Sequence, residues 1–186
     1  MSTVNTPPDP RADELLAIRC QLGERDAFEA LIARWHEPLW RYLRTLASSR
    51  EVADDLAQDT WLRVLRSIAS LRDPSRLRPW IFGIARRVAM DRLRSRYAHP
   101  TADLVEIDNL AAAGADPGLE SDLAVLQSGL DALPASERET LALFYLRELT
   151  IEQISALLQV PAGTVKSRLF RARELLRKKL NEGVKT

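Results

Sequence analysis

The sequence predicts an all-α protein: two small helical domains joined by a flexible acidic linker. Three observations lead to this prediction. Apolar residues recur at helical spacing along most of the chain, while the seven glycines and the scarcity of β-branched runs disfavour sheets. One internal stretch is acidic and contains no Lys or Arg. A helix-turn-helix pattern lies close to the carboxyl end.

The composition of the 186 residues excludes several classes of protein. With 46% hydrophobic and 28% charged residues the chain is typical of soluble globular proteins, and no apolar run approaches the roughly 20 residues of a membrane span. Cys20 is the only cysteine, which excludes an internal disulfide and fits a reducing, cytoplasmic location. One thiol and two separated histidines do not make a zinc site, so no metal and no cofactor are expected. Residues 1–10, which contain several prolines, are predicted to be a disordered tail.

The first domain is predicted over residues 11–97 and begins with two helices. The first helix runs from Ala12 to Leu22. The second is indicated by apolar positions between Asp26 and Leu46, and Pro38 is expected to kink or split it because proline removes a backbone donor and crowds the preceding turn.

The third helix, capped by Ser48 or Ser49 and running to about Ser70, has two different faces. One face is a core stripe at Ala53, Leu56, Thr60, Val64, Ile68 and Leu71. The other face places two carboxylates, an amide and an apolar side chain side by side, at Asp55, Gln58, Asp59 and Leu62. A solvated face is the simpler interpretation. A protein-docking face is the more specific interpretation, because carboxylates attract a basic partner and Leu62 adds apolar contact.

Arginine dominates the end of the first domain. A loop from Arg72 to Arg78 precedes a fourth helix, which is predicted to start at Pro79 and to end near Tyr97. Between residues 72 and 96 there are eight arginines and two aspartates, with the arginines at positions 72, 76, 78, 86, 87, 92, 94 and 96. This balance is typical of nucleic-acid binding, although arginines on an outer face can also serve solubility alone.

The acidic linker is predicted over residues 98–119, in a stretch from His99 to Asp122 that holds six carboxylates and no Lys or Arg. The second domain is predicted over residues 120–182. A helix from Ser121 to Leu130 opens it, and Leu133-Pro134 leads into the next helix.

The helix-turn-helix lies between Leu149 and Arg173. Thr150 and Gln153 have the spacing of a capping box at the start of its first helix. Gln159 stands in the turn, where glycine is frequent, and a left-handed conformation there would cost about 1 kcal/mol or less. The second helix starts near Ala162 and buries one apolar face, formed by Val165, Leu169 and Ala172. Its other face is basic and suits a DNA major groove, whereas an ordinary hairpin with a solvated charged helix is the alternative.

Three stretches resemble the sigma factors of bacterial RNA polymerase, specifically the small extracytoplasmic-function (ECF) group that has only regions 2 and 4. Residues 54–61, DDLAQDTW, resemble region 2.2. Residues 79–87, PWIFGIARR, continuing to DRLR at 91–94, resemble regions 2.3 and 2.4. Leu133-Pro134 with Arg138 and Leu141, followed by GTVKSRL at 163–169, resembles region 4. In this order and across a linker the three motifs are highly specific.

This resemblance implies a non-enzymatic protein that binds core RNA polymerase, directs it to promoters and helps to open the −10 region. The face with Asp55, Gln58, Asp59 and Leu62 matches the surface that docks on the coiled coil of the β′ subunit. The loop and the start of the fourth helix match the part that captures a flipped base of the −10 element. The resemblance therefore assigns contacts with melted −10 DNA to Arg72, Ser75, Arg76, Arg78, Arg86 and Arg87.

The resemblance also implies how the second domain meets double-stranded DNA. Four side chains match positions that meet the −35 element in the major groove, at Lys166, Ser167, Phe170 and Arg171. Arg168 and Arg173 are assigned to phosphates. The family further implies contact with the flap of the β subunit and regulation by an anti-sigma factor.

Two other functions are weighed against this one. A free-standing helix-turn-helix regulator would dimerise on paired half-sites without core polymerase, but the acidic face and the separate basic module argue against it. A metal-assisted nuclease using Asp54, Asp55 and Asp59 ranks last, because Asp54 lies away from the paired face and no His or Lys is placed to help.

Overall fold

The computed structural model describes residues 10–98, 129–130, 132–146 and 149–183, and no strand occurs within these ranges. The first unit consists of α1 (Pro10–Gln21), α2 (Arg25–Arg44), α3 (Arg50–Ser67) and α4 (Leu77–Ala98). The described part of the second unit contains α5 (Ala135–Leu141), a π-helical continuation (Ala142–Leu146), α6 (Ile151–Leu158) and α7 (Ala162–Gly183). The predicted all-α class is confirmed. None of the described helices combines the length and the hydropathy needed to cross a bilayer.

Helices α1 to α4 pack around one apolar core. The ring of Phe82 from α4 meets Trp35 and Tyr42 of α2 edge-on, with ring centroids 6.2 and 5.4 Å apart. Such aromatic pairs contribute about 0.5–1.5 kcal/mol beyond the area they bury. Cys20 is buried here as well, and burial raises the pKa of its thiol. The core stripe predicted for the third helix is buried as expected, at Ala53, Leu56, Thr60, Val64, Ile68 and Leu71.

Pro38 does not split the second helix. Helix α2 runs unbroken from Arg25 to Arg44 with Pro38 inside it, so of the expected kink or split, the split is wrong. A proline in a helix interior costs about 3 kcal/mol or more. The core offsets this cost, because Trp35 and Leu39 on either side of the proline are 5% and 0% exposed.

The fourth helix begins at Leu77 rather than at Pro79. Leu77 is fully buried, which fixes the chain against the core at that point, and Pro79 becomes the third residue of α4. A proline is tolerated there because the amides of the first turn have no intrahelical acceptor. Helix α3 ends at Ser67 rather than near Ser70. Two short 3₁₀ turns follow it, Ile68–Ser70 and Pro74–Arg76.

The helix-turn-helix of the second unit is formed by α6 and α7. Its capping box is present: the Gln153 amide donates to Thr150 Oγ1 at 3.2 Å, and the Thr150 amide donates to Gln153 Oε1 at 2.9 Å. Gln159 ends α6 with a φ of 56°, in the left-handed region. The predicted apolar face of α7 is buried, at Val165, Leu169 and Ala172.

Replacing Gln159 with Gly should raise the free energy of unfolding by up to about 0.5 kcal/mol. Glycine removes the steric cost that a β-carbon has in the left-handed region, and the greater freedom of the unfolded glycine chain offsets part of this gain. Denaturant unfolding followed by circular dichroism measures the change. Ala156→Gly, in the exposed face of α6, is the matched control and should lower stability by about 1 kcal/mol. A lower denaturant midpoint for Gln159→Gly than for the natural chain would show that the left-handed conformation of Gln159 carries no strain.

The two units contact each other in this structure. Glu139 of α5 is 7% exposed. Its Oε1 accepts hydrogen bonds from the Tyr42 hydroxyl at 2.9 Å and from Arg86 Nε at 3.1 Å. Helix α6 also packs on α4. The linker predicted over 98–119 and most of the helix predicted from Ser121 lie outside the described residues, so the domain boundaries stay predictions.

Candidate nucleic-acid and protein interfaces

The docking face predicted on α3 points to solvent. Asp55, Gln58, Asp59 and Leu62 are all exposed, and Leu62 keeps 42% of its surface accessible. Asp55 Oδ2 forms an ion pair with Arg92 of α4 at 3.3 Å, and the Asp55 side chain is 59% exposed. An exposed pair of this kind contributes at most about 1 kcal/mol. A basic partner can therefore compete with Arg92 for Asp55.

Asp54 is turned away from that face. Its Oδ1 accepts a hydrogen bond from Trp40 Nε1 at 2.6 Å, which ties it to α2. Within the described ranges, no three His, Cys, Asp or Glu side chains are grouped so that they could hold a metal ion. The three carboxylates that the nuclease hypothesis needs do not converge.

The loop between α3 and α4 presents arginines to solvent, and residues 72–76 are named the arginine loop below. Arg72, Ser75 and Arg76 are exposed. Asp73 shapes the loop, because its Oδ1 accepts hydrogen bonds from the Ser75 amide at 3.1 Å and the Ser75 hydroxyl at 2.6 Å. The guanidinium groups are thus presented on a pre-shaped turn, where they can meet phosphates or unpaired bases.

Two of the arginines predicted to bind −10 DNA have partners inside the protein. The Arg78 side chain is 15% exposed and lies 3.5 Å from Asp13 Oδ2. Its guanidinium also sits 5.1 Å from the centroid of the Trp35 ring. Arg86 is 28% exposed and bonds to Glu139. In this structure Arg78 is tied to Asp13 within the first unit, and Arg86 is tied to Glu139 across the contact between the units.

A cleft of about 850 Å³ lies where the two units meet. Five arginines of the first unit line it, at positions 72, 76, 86, 87 and 94. Helix α6 supplies part of the opposite wall, including Gln153, Leu157 and Gln159. This concentration of positive charge suits a polyanion and gathers the predicted −10 arginines, except Arg78, along one groove.

Helix α7 presents a basic and aromatic surface. Lys166, Phe170, Arg171 and Arg173 are exposed, and the Phe170 ring is 65% accessible. Arg168 and Ser167 are partly buried, and the Ser167 hydroxyl donates to the Thr164 carbonyl at 2.9 Å. Of the side chains predicted to meet base edges, Lys166, Phe170 and Arg171 are therefore accessible, whereas Ser167 is partly buried and its hydroxyl is engaged within the helix.

Neighbouring groups orient the charged side chains of α7. Arg173 Nε donates to the Tyr145 hydroxyl at 2.7 Å, and its guanidinium lies over the Phe144 and Tyr145 rings, 5.8 and 5.4 Å from their centroids. Arg171 lies 3.8 Å from the buried Glu137 and keeps 67% of its side chain exposed.

Glu152 carries a negative charge beside Lys166 at the start of the helix-turn-helix. Its pKa lies below the usual value, chiefly because its own backbone amide bonds to the carboxylate. The Thr150 side chain has the next largest effect on this pKa, and the nearby Lys166 lowers it further by a smaller amount. The positive charge of α7 therefore has a carboxylate neighbour within the protein.

Some residues at these surfaces were not anticipated from the sequence. Arg63 and Arg66 line a recess of about 280 Å³ together with Ser67, Ile84 and Arg87. Their spacing of three on an exposed helix face is a signal that could have revealed them. The contact between Glu139 and Tyr42 has no such signal, because the two residues are 97 positions apart.

The geometry defines a class: an all-α protein with a helix-turn-helix in one unit and an exposed acidic face beside an arginine loop in the other. Sequence profiles agree, since sigma-70 region 2 matches residues 31–99 and sigma-70 region 4 matches residues 123–176. The chain is 35% identical over 177 residues to the ECF RNA polymerase sigma factor SigM of Mycobacterium tuberculosis H37Rv, covering 94% of this chain and 89% of that one. The chain belongs to the ECF subfamily of the sigma-70 family of RNA polymerase sigma factors.

More distant relatives and solved structures agree with this assignment. The ECF RNA polymerase sigma-E factor of Escherichia coli K12 is 28% identical over 180 residues, covering 90% of this chain and 94% of the relative. The structure of CnrH with the cytosolic domain of CnrY matches with a TM-score of 0.66 and 25% identity, covering 92% and 98% of the two chains. The sigma factor RpoE of Bartonella quintana, in complex with the anti-sigma factor NepR, matches with a TM-score of 0.69 and 25% identity, covering 83% and 96%.

Membership of this family decides between the functions weighed above. The protein is a sigma factor that binds core RNA polymerase and directs it to promoters, rather than a free-standing helix-turn-helix regulator. Sigma factors are not a family of enzymes, so the nuclease hypothesis receives no support from the relatives.

Proposed function

We propose that this sigma factor docks on the coiled coil of the polymerase β′ subunit through Asp55, Gln58, Asp59 and Leu62. The observation that carries this proposal is the exposure of all four side chains on one face of α3, with Leu62 42% accessible. Carboxylates steer a basic partner into place, and an exposed leucine among them supplies the apolar contact that such an interface needs.

Run-off transcription with purified core polymerase tests the function as a whole. On a pool of genomic fragments, specific start sites should appear only when this protein is added to the core enzyme. DNA binding by the protein without any rescue of initiation would contradict the proposal. Identical start sites with core enzyme alone would contradict it as well.

The arginine loop is proposed to capture a flipped base of the −10 element. Arg72, Ser75 and Arg76 would meet the melted strand, together with Arg87 from α4. Arg86, which lines the same cleft, would join them, while Arg78 would act through its contact with Asp13 at the start of α4. Extruding a base costs a few kcal/mol of unstacking, so capture favours promoter steps that open easily.

Helix α7 is proposed to read the −35 element. Lys166, Ser167, Phe170 and Arg171 would face base edges in the major groove, and Arg168 and Arg173 would contact phosphates. The contacts of Arg173 support this division, because its guanidinium lies over the Phe144 and Tyr145 rings and is held there rather than free to reach base edges.

Lys166→Ala should relax the −35 preference by about 1–3 kcal/mol, if Lys166 hydrogen-bonds to a base edge. Binding of the holoenzyme to promoter variants with single −35 substitutions measures the preference. Lys178→Ala removes an exposed lysine further along the same helix and is the matched control. If Lys166→Ala weakens all variants equally, Lys166 contacts a phosphate instead.

The remaining partners and the location are also part of this proposal. We expect contact with the flap of the polymerase β subunit, action in the cytoplasm and control by an anti-sigma factor. The complex of the similar sigma factor RpoE with the anti-sigma factor NepR supports the last expectation. The two proposed functional domains are residues 11–97, for core and −10 binding, and residues 120–182, for −35 binding.

A further inference from the structure

Both ends of the arginine loop are bonded to helix α1. At the end that follows α3, Gln21 Nε2 donates to the carbonyl oxygens of Ile68 and Leu71, at 3.2 and 2.6 Å. At the end that enters α4, Asp13 Oδ2 lies 3.5 Å from the guanidinium of Arg78. One helix therefore holds the two points from which the loop projects.

Asp13 is firmly placed for this contact. It is 4% exposed, and its Oδ1 accepts hydrogen bonds from Arg34 Nε at 2.6 Å and Trp35 Nε1 at 3.2 Å. The Arg78 guanidinium also lies over the Trp35 ring. A buried carboxylate with several donors fixes its partners strongly, because moving any of them leaves charge without compensation.

Between these two ends the loop is shaped by its own contacts. Asp73 bonds to Ser75, and the Arg76 amide donates to the Asp73 carbonyl at 3.0 Å. These short-range bonds set the form of the turn, but they do not place it relative to the helices. The bonds from α1 place the loop relative to the helices, because they connect it to residues about fifty positions away in the sequence.

We propose that Gln21 and Asp13 are positioning residues for −10 recognition: they hold the arginine loop where it can capture a base. This inference rests on the proposed function of the loop. Both residues precede the matched sigma-70 region 2, which begins at residue 31. In enzymes, a misplacement of about 1 Å can cost about a hundredfold in rate. Capture of a base depends on geometry in the same way, so modest movement of the loop is enough to weaken base preference.

The test uses Gln21→Leu in the full chain, assembled with core polymerase. Leucine keeps the apolar bulk of the side chain but cannot donate to the two carbonyl oxygens. The probe is a DNA pool with randomised −35 and −10 segments, from which transcribed sequences are recovered and counted. We expect the preference at the captured −10 position to fall about tenfold, with the −35 preference and core binding unchanged.

Three further variants show whether the Gln21→Leu result comes from positioning of the loop. Gln21→Lys retains a donor of similar length and should restore most of the −10 preference. Asp13→Asn should act like Gln21→Leu, because it removes the charge that holds Arg78. Glu14→Gln, an exposed neighbour on α1, should change nothing.

The outcomes separate this inference from the function on which it rests. If Arg72→Ala with Arg76→Ala flattens the −10 preference but Gln21→Leu and Asp13→Asn do not, the positioning role is wrong. An equal loss of −35 and −10 preference in both α1 variants would also overturn it, since that indicates a general loss of structure. If the double arginine variant itself keeps its −10 preference, the proposed base capture by the loop fails instead.

Discussion

Replacing Asp55 and Asp59 together with Arg should abolish binding of core RNA polymerase and leave the helical fold intact. Both carboxylates are exposed, so the change adds no buried charge. Bringing like charges together at an interface costs several kcal/mol, which corresponds to a loss of at least about a hundredfold in affinity. Pull-down of core polymerase and circular dichroism measure the two outcomes.

The matched control carries the same change in charge on another helix. Asp26→Arg with Glu29→Arg alters two exposed carboxylates at the start of α2 and should bind core polymerase nearly as well as the natural chain. Undiminished capture of core by the Asp55 and Asp59 variant would refute the docking assignment. Equal loss in both variants would show that net charge, not this face, governs binding.

Replacing Glu139 with Ala should drive the two helical units apart. Glu139 accepts hydrogen bonds from Tyr42 and Arg86 across their contact and is 7% exposed. Breaking a buried charged pair costs about 3–5 kcal/mol, and the partial exposure of Arg86 places the expected cost at the lower end of this range. Since the lost acceptor is needed only while the units touch, separation relieves the penalty.

Small-angle scattering of the full chain measures this separation as an increase in the radius of gyration. Glu139→Gln keeps an acceptor oxygen without the charge and should lie between the natural chain and Glu139→Ala. Glu137→Ala is the control, because Glu137 is equally buried on α5 but pairs with Arg171 of its own unit. An unchanged radius for Glu139→Ala would mean that other contacts hold the units together. Separation would also free Arg86 from its bond to Glu139 and open the cleft between the units.

The structure shows which kinds of prediction a sequence supports. The buried stripe of α3 and the capping box at Thr150 follow from spacings of three and four residues, and both are present. Of the kink or split expected at Pro38, the split is wrong, because the penalty of a proline is local while the packing that outweighs it is not. Arg78 illustrates the same limit: composition groups it with the exposed arginines, yet Asp13 and Trp35 hold it inside.

By itself, the sequence determined the all-α class, the helix-turn-helix and the acidic face of α3, since periodicity, capping and charge act between residues that are neighbours along the chain. Tertiary structure alone decided which arginines face solvent, how α1 holds the arginine loop and where the units touch. The deciding contacts join residues 50, 65 and 97 positions apart. Partners this distant are selected by the packing of whole helices, and no local pattern encodes their pairing.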